Sequence, residues 1–204
     1  MGHQTVIVLD FGSQYTQLIA RRLRELSVYS EILPFDTPID RIAARQPVGI
    51  ILSGGPRSVS DPGAPKCDPA VFKLGIPALG ICYGMQLMTD TLGGTVGHAP
   101  QREYGHALVQ VQASGRQLFE GLPRELKVLA SHGDFVTTAP PGFAVVATSA
   151  NAPVAAMADP DRNLYALLFH PEVAHTDRGD DILRNFAFSV CRCTGDWTIT
   201  SFID

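Results

Sequence analysis

The sequence contains little that would tie the protein to a membrane or to a nucleic acid. No apolar run in its 204 residues approaches the roughly 20 residues that a membrane-spanning helix needs. The formal net charge is −4, and the basic cluster RRLR at residues 21–24 is short and lies on a helical pattern. A solvated helix face or a contact with another domain accounts for this cluster better than nucleic-acid binding does. We therefore expect neither a nucleic acid nor a membrane as a partner.

Cysteine is scarce, and its spacing excludes two common uses of this residue. The four cysteines are Cys67, Cys82, Cys191 and Cys193. They match neither the paired spacing of a zinc site nor the framework of a disulfide-rich secreted domain. The N-terminal residues form an apolar strand pattern rather than a signal sequence. We therefore expect a cytoplasmic protein with reduced cysteines and no bound metal.

The apolar pattern divides the chain into an alternating first part and a strand-rich second part. Up to residue 94, short apolar runs alternate with helical spacing, which is typical of a parallel sheet covered on both faces. The predicted strands there are residues 5–9, 29–33, 48–52 and 76–81, and the predicted helices are residues 14–26, 39–44, 69–74 and 83–92. Further strands at 107–111, 127–130, 144–148, 154–157 and 164–169 predict an antiparallel extension, followed by a helix at 182–190. The predicted fold is α/β, with an open, mixed, mainly parallel central sheet flanked by helices.

A cysteine between two glycines follows the fourth predicted strand. The stretch Gly80-Ile81-Cys82-Tyr83-Gly84 matches a nucleophile elbow, a sharp strand-to-helix turn that exposes its central side chain. The glycines let the neighbouring chain approach closely, the following helix N-terminus favours a thiolate, and the N–H of Tyr83 can stabilise an oxyanion. A buried structural cysteine is the alternative. The flanking strand and helix favour a nucleophilic Cys82.

A histidine at the end of a later strand supplies the base that a nucleophilic cysteine needs. His170 follows the apolar run LYALLF, so it lies at the carboxyl end of a strand, the sheet edge at which Cys82 also lies. Glu172 faces the same way two residues on and can orient the imidazole, which completes a Cys-His-Glu triad. A lone His-x-Glu is more often structural, and the elbow reverses that preference. His132 and Asp134 form a competing pair, in a segment that we expect to be a loop.

A Gly-Gly turn follows the strand predicted at residues 48–52. Its sequence is Ser53-Gly54-Gly55-Pro56, and such a turn exposes backbone N–H groups that can form the second half of an oxyanion hole. Phosphate binding is the alternative. It is disfavoured because no Gly-Lys-Ser/Thr follows, and because Arg57 stands where the S-G-G-x-D-S loop of ATP pyrophosphatases carries aspartate.

Taken in this order, the motifs resemble the class I (triad) glutamine amidotransferase domain over essentially the whole chain. The resemblance rests on VLDFGSQYTQLIARRLREL, GIILSGGPRSV, GICYGMQLM, LASHGDFV, FHPEVAHT and the tail CTGDWT. The stretches DFGSQYTQ and SHGD point to the GMP synthase branch of this family. The resemblance implies a flavodoxin-like fold in a single domain over residues 1–204. Residues 192–204 would begin a linker or interface to an ATP pyrophosphatase domain that these 204 residues do not contain.

The resemblance also implies a role for each matching residue. Cys82 would be the nucleophile, His170 the base and Glu172 the residue that orients it. Gly55 and Tyr83 would supply oxyanion N–H groups, and Gly54, Gln86, Gly133 and Asp134 would hold the substrate glutamine. The implied reaction releases glutamate and ammonia without a cofactor in this domain. The ammonia would pass to a synthetase domain or subunit that converts XMP to GMP with ATP.

The chain departs from its relatives at one position near the predicted base, and two other functions stay open. Relatives usually carry glutamine two residues before the histidine, and here Leu168 stands there, so a polar contact is absent or replaced by packing. The open functions are another γ-glutamyl cysteine hydrolase and a non-catalytic module that binds a partner. The tail residues Trp197, Ile199 and Phe202 are apolar without an evident place in this core, which indicates part of a longer enzyme or a surface for a partner subunit.

Overall fold

In the computed structural model, residues 3–112 and 117–198 are described, with residues 99–104 described by their backbone alone. The strands of this part form one open sheet in the order β2-β1-β3-β4-β9-β8-β7-β5-β6. Their bounds are β1 Thr5–Asp10, β2 Tyr29–Pro34, β3 Gly49–Leu52, β4 Ala78–Ile81, β5 Thr95–Val111, β6 Glu125–Thr138, β7 Ala144–Ser149, β8 Ala156–Asp159 and β9 Leu164–Leu167. Neighbours from β2 to β9 are parallel, and those from β9 to β6 are antiparallel. The predicted open, mixed sheet is confirmed.

The helices lie close to their predicted positions. They are α1 Thr16–Glu25, α2 Ile39–Ala43, α3 Tyr83–Thr91 and α4 Gly179–Arg184, with a 3₁₀ helix at Pro69–Lys73 and a π-helical turn at Asn185–Val190 that continues α4. The 3₁₀ helix starts where the sequence provides a cap, because the Asp68 carboxylate accepts a hydrogen bond from the N–H of Ala70 at 2.9 Å and Pro69 has no N–H that would need an acceptor. The last helix begins three residues earlier than predicted, at Gly179.

Helices cover both faces of the parallel part of the sheet. Successive residues of a strand point to opposite faces, so adjacent side chains of β1 enter different clusters: Val6 belongs to the same cluster as Ile19 of α1, and Ile7 belongs to the same cluster as Met85 of α3. All four side chains are fully buried. This two-sided burial explains the unbroken apolar runs of the parallel strands.

The hairpin of β5 and β6 is much longer than predicted, and it corrects one expectation. β6 runs for 14 residues and includes residues 131–134, which were expected to form a loop. Burial alternates along β6, and His132 and Asp134 take two of its inward positions. Polar residues at these positions interrupt the apolar alternation that predicts a strand, and the ladder to β5 compensates for them.

Two further residues have a place that the sequence left open. Trp197 is buried, and its ring lies 6.0 Å from that of Tyr29. The backbone N–H of Trp197 donates to the carbonyl of Ser27 at 3.1 Å. The expectation that Trp197 has no place in the core was therefore wrong, whereas Ile199 and Phe202 lie outside the described residues. Leu168 is buried in the cluster on the α3 face, so packing replaces the polar contact, which is one of the two outcomes expected from the sequence.

Candidate active site

Cys82 lies at a strained turn between β4 and α3. Its backbone has φ 52° and ψ −106°, a conformation that costs a residue with a Cβ about 1–3 kcal/mol. The turn is held from both sides, because the Cys82 N–H donates to the carbonyl of Leu167 at 2.8 Å and the Cys82 carbonyl accepts from the N–H of Gln86 at 3.1 Å. The first bond joins the turn to β9, and the second starts α3.

The two glycines of the elbow are in backbone contact with their surroundings. A Cβ on Gly80 would lie 2.7 Å from the carbonyl atoms of Gly84, and a Cβ on Gly84 would lie 2.4 Å from the carbonyl oxygen of Leu52. No ordinary Cβ contact is that short, and a backbone atom cannot rotate away as a side chain does. The elbow therefore needs glycine at both positions, as its pattern predicts.

We expect Gly84→Ala to lower the free energy of unfolding by about 3 kcal/mol, because the added methyl group overpacks a contact between backbone atoms. Urea unfolding followed by circular dichroism measures this change. Gly63→Ala is the matched control, since Gly63 has φ +71° and open space around its Cβ position; it should cost only about 1 kcal/mol from its backbone conformation. Equal losses in the two variants would show that packing at the elbow is not tight.

His170 and Glu172 form a buried pair at the carboxyl edge of the sheet. The Nδ1 of His170 lies 2.7 Å from the Oε1 of Glu172, and neither side chain is more than 5% exposed. The ring of Tyr15 stands edge-on to the imidazole at 5.2 Å between centroids. Because an ionised carboxylate only accepts hydrogen bonds, Glu172 assigns the Nδ1 proton to His170 and leaves Nε2 for another partner.

Gly54 marks the point where His170 and Cys82 converge. A Cβ on Gly54 would lie 3.0 Å from the Cε1 of His170 and 3.7 Å from the Cβ of Cys82. The predicted nucleophile and base are therefore brought together, although one follows β4 and the other follows β9. Gly54 itself lies against the imidazole and does not line the cavity described below.

The electrostatics of His170 favour its protonated form. Burial by itself lowers the pKa of His170, but hydrogen bonds to Cys82 and Glu172, together with the charges of these two partners, raise the pKa to about 10. A histidine that stays protonated beside a cysteine stabilises the thiolate, which is the nucleophilic form.

An open cavity of about 700 Å³ lies over these residues. Its lining includes Cys82, His170, Gly55 and Gln86 together with residues 131–134 of β6. Gly55 lies against the backbone of Phe11, since a Cβ there would lie 2.7 Å from the carbonyl oxygen of Phe11. The cavity is large enough for a small polar substrate whose reacting group lies beside the thiol.

Two backbone N–H groups near the thiol stay available for a ligand. Within the described part of the chain, no hydrogen-bond acceptor pairs with the N–H of Gly55 or with that of Tyr83, the first residue of α3. The ring of Tyr83 points elsewhere, and its hydroxyl donates to the carbonyl of Pro65 at 2.5 Å. The predicted oxyanion donors are thus both unpaired.

The remaining predicted substrate residues lie on or behind the wall formed by β6. Gly133 and Asp134 line the cavity. Gln86 is buried, and its Nε2 donates to the Asp134 carbonyl at 3.1 Å, so it ties α3 to this wall. The Asp134 carboxylate lies 2.5 Å from the Nδ1 of His98. Asp134 therefore pairs with His98.

Sequence reasoning missed two neighbours of Cys82 and His170. Tyr15 borders His170, and the carbonyl of Ser131 accepts a hydrogen bond from the Cys82 thiol at 3.7 Å. Tyr15 could have been found, because it follows β1 at the same carboxyl edge of the parallel sheet. The carbonyl of Ser131 carries no sequence signal.

The described part of the chain offers neither a cluster of metal ligands nor a membrane-spanning helix. No three of its His, Cys, Asp or Glu side chains gather as the ligands of a metal ion would. None of its helices combines the length and the apolar character that crossing a bilayer requires. The four cysteines are unpaired and buried.

An open α/β sheet that presents a cysteine and a His-Glu pair at one edge has the constellation of a cysteine-dependent hydrolase or acyl-transfer enzyme. The family model described as glutamine amidotransferase class-I matches residues 7–190. The chain belongs to this family.

Its curated relatives are longer proteins. The chain is 55% identical over 203 residues to a GMP synthase [glutamine-hydrolyzing] of Syntrophomonas wolfei, and the aligned region covers 100% of the chain and 40% of the relative. It is 57% identical over 201 residues to the protein of the same description in Lactiplantibacillus plantarum, covering 98% and 39%. The chain therefore spans about 40% of the length of the curated relatives that it matches.

Solved structures share the fold. A protein from Thermoplasma acidophilum, described as a candidate GMP synthase subunit, superposes with a TM-score of 0.79 at 34% identity, covering 94% of this chain and 96% of that one. A glutamine amidotransferase from Thermotoga maritima gives a TM-score of 0.66 at 21% identity, covering 93% and 84%. The second likeness concerns the fold alone.

Proposed function

We propose that this chain hydrolyses glutamine to glutamate and ammonia through the triad Cys82, His170 and Glu172. The observation that carries the proposal is the meeting of Cys82 with the buried His170–Glu172 pair at one cavity. Membership of the glutamine amidotransferase family selects glutamine as the substrate from among the amides that such a site can attack.

In the proposed reaction, the Cys82 thiolate attacks the carbon of the substrate carboxamide. The N–H groups of Gly55 and Tyr83 hold the oxyanion, and the loss of one such donor costs about 3 kcal/mol in barrier height. His170 gives its Nε2 proton to the departing nitrogen, so ammonia leaves and a γ-glutamyl thioester remains. His170 then takes a proton from water, the resulting hydroxide displaces the thiolate, and glutamate leaves. These steps use side chains and backbone groups alone.

The wall of β6 would hold the α-amino and α-carboxylate groups of glutamine. The backbone of Gly133 and Asp134 lines the cavity on the side of Gln86. Gly54 would contribute indirectly, because its lack of a side chain leaves room for the His170 imidazole. In this proposal Gln86 acts mainly by fixing the position of β6 through the carbonyl of Asp134. Such buried polar links orient a binding wall without touching the reacting atoms.

We further propose that the ammonia is consumed by an ATP-pyrophosphatase synthetase domain or subunit, which converts XMP to GMP with ATP. The proposal is supported by the description of the relatives as glutamine-hydrolysing GMP synthases and by the 40% of their length that this chain spans. An acceptor enzyme for the ammonia would occupy the remaining length.

The proposed coupling predicts that the chain alone is a slow glutaminase. A synthetase partner loaded with XMP and ATP should raise its kcat on the order of tenfold or more, within the range usual for coupling between two sites. In this proposal the site closes over glutamine only when the loaded partner is bound. Ammonia is then not released in the absence of an acceptor. Glutamate release is measured with and without the loaded partner.

The same assay tests the alternatives. A fast rate that ignores the partner contradicts the coupling. A preference for γ-glutamyl peptides over free glutamine contradicts the substrate and supports another γ-glutamyl hydrolase. An unloaded partner serves as the control, since it separates the effect of docking from that of the bound nucleotides.

A further inference from the structure

The loop between His170 and α4 contains a buried hydroxyl that the proposed mechanism does not use. Thr176 is 5% exposed, and it does not line the cavity. Its Oγ1 donates to the carbonyl oxygen of His170 at 2.6 Å and accepts from the N–H of Leu129 at 3.0 Å. One hydroxyl thus joins the backbone of the proposed base to the backbone of β6.

This bridge lies beside a direct hydrogen bond between the same two residues. The N–H of His170 donates to the carbonyl of Leu129 at 3.3 Å, while the N–H of Leu129 reaches the carbonyl of His170 only through Thr176. In a regular antiparallel ladder, two paired residues exchange both bonds directly. Here β9 pairs with β4 and β8 and has ended at Leu167, so His170 lies outside any ladder with β6, and the hydroxyl supplies the second link between the two backbones.

The strand on the other side of this bridge also contacts the nucleophile. Two residues beyond Leu129, the carbonyl of Ser131 accepts the hydrogen bond from the Cys82 thiol. The position of His170 relative to Leu129 therefore also sets its position relative to Cys82. The loop has little freedom to compensate, because Asp177 donates its N–H to the Lys127 carbonyl at 2.8 Å and a Cβ on Gly179 would lie 2.0 Å from the carbonyl oxygen of Pro171.

We propose that Thr176 is a positioning residue for the reaction: its hydroxyl, shared between the His170 carbonyl and the Leu129 N–H, holds the imidazole in line with the Cys82 thiol. This role rests on the proposed function, and it acts through the backbone of His170 rather than on the substrate. The titratable groups that face the imidazole are Cys82, Glu172 and Tyr15.

The variant Thr176→Val keeps the shape of the side chain and removes the hydroxyl. With the loaded synthetase partner present, its kcat should fall about 10- to 100-fold, the effect of a displacement of up to about 1 Å between reacting groups, while KM stays within about twofold because Thr176 does not line the cavity. Thr176→Ser restores the hydroxyl and should return kcat to the wild-type value. Thr37→Val is the control, since the buried Thr37 hydroxyl also donates to a carbonyl, that of Pro34 at 2.7 Å, beyond the far-edge strand β2.

A second readout needs no turnover. Alkylation of Cys82 by iodoacetamide, followed peptide by peptide with mass spectrometry over a pH series, reports how well His170 supports the thiolate. In Thr176→Val the acidic limb of this profile should move to higher pH, whereas Thr37→Val should keep the wild-type profile. If the wild type releases no glutamate even with its partner, the proposed function fails, and the alkylation profiles still test Thr176.

A folded Thr176→Val with wild-type kcat and an unchanged alkylation profile would overturn the proposal. If Thr176→Val does not fold, Thr176→Ser decides, because it keeps both hydrogen bonds and loses one methyl group. A folded serine variant with wild-type kcat and profile supports the positioning role. A folded serine variant that is at least tenfold slower shows that the methyl packing, not the hydroxyl, matters.

Discussion

Replacing Cys82 with alanine is expected to lower glutamate release from glutamine by at least about 10⁴-fold, since the loss of a nucleophile leaves only binding and oxyanion stabilisation. The variant should fold, because alanine is smaller than cysteine, and a residue with a Cβ already adopts the φ of 52° at this position. The measurement is glutamate released per minute by wild type and Cys82→Ala, each with the loaded synthetase partner.

Cys67→Ala is the matched control for this experiment. Cys67 is also a buried free cysteine, but burial raises the pKa of its thiol to about 11, so it carries almost no thiolate at neutral pH. Its removal should leave the rate unchanged. If wild type and Cys82→Ala are equally inactive with the partner, the elbow has no catalytic role. The leading interpretation would then be a non-catalytic module that binds a partner.

Replacing Glu172 with glutamine is expected to lower kcat by about 10³–10⁴-fold, as the loss of the orienting carboxylate does in triads of this kind. The carboxylate is fully buried and lies 2.7 Å from the Nδ1 of His170. An amide keeps the size of the side chain, removes the negative charge and allows the wrong tautomer of the imidazole. The measurement is kcat and kcat/KM as a function of pH.

The pH profile separates the lost charge from a general disturbance. Burial lowers the pKa of His170, and its contacts with Cys82 and Glu172 outweigh burial and raise the pKa to about 10. Without the carboxylate, the pKa of His170 falls. The protonated imidazole is then lost at lower pH, so the alkaline limb of the kcat/KM profile should move down from about pH 10.

Asp159→Asn is the control for Glu172→Gln. Asp159 is another buried carboxylate, paired with Arg162 at 2.5 Å and outside the cavity lining, so its loss should reduce stability and leave the pH profile in place. An alkaline limb that does not move in Glu172→Gln would mean that Glu172 does not act on the charge of His170.

The elbow and the parallel strands could be predicted because their signals are local. Gly80 and Gly84 flank Cys82 at a spacing that only a tight strand-to-helix turn uses, and the structure shows the backbone contacts that require them. The apolar runs of β1, β3 and β4 follow from burial on both faces of the sheet. Each of these signals lies within a few consecutive residues, so it can be recognised without knowing which distant segments pack against it.

The long hairpin and the burial of Trp197 could not be predicted in the same way. β6 carries His132 and Asp134 at inward positions. Polar residues there interrupt the apolar alternation, so the sequence pattern predicts a break in the strand. Only the pairing with β5 and the bond from Gln86 to the Asp134 carbonyl make those positions part of a wall. Trp197 likewise depends on Tyr29, which is far away in the chain.

By itself, the sequence determined the covalent and local parts of this protein: which strand ends in a cysteine, which ends in a histidine followed by a glutamate, and where glycine permits a tight turn. The tertiary structure alone decided which of these groups meet. It places Cys82 beside His170, directs Asp134 to His98, and inserts Thr176 between His170 and Leu129. The reason is physical: contacts between distant segments depend on the register and order of the strands, which follow from the packing of the whole sheet.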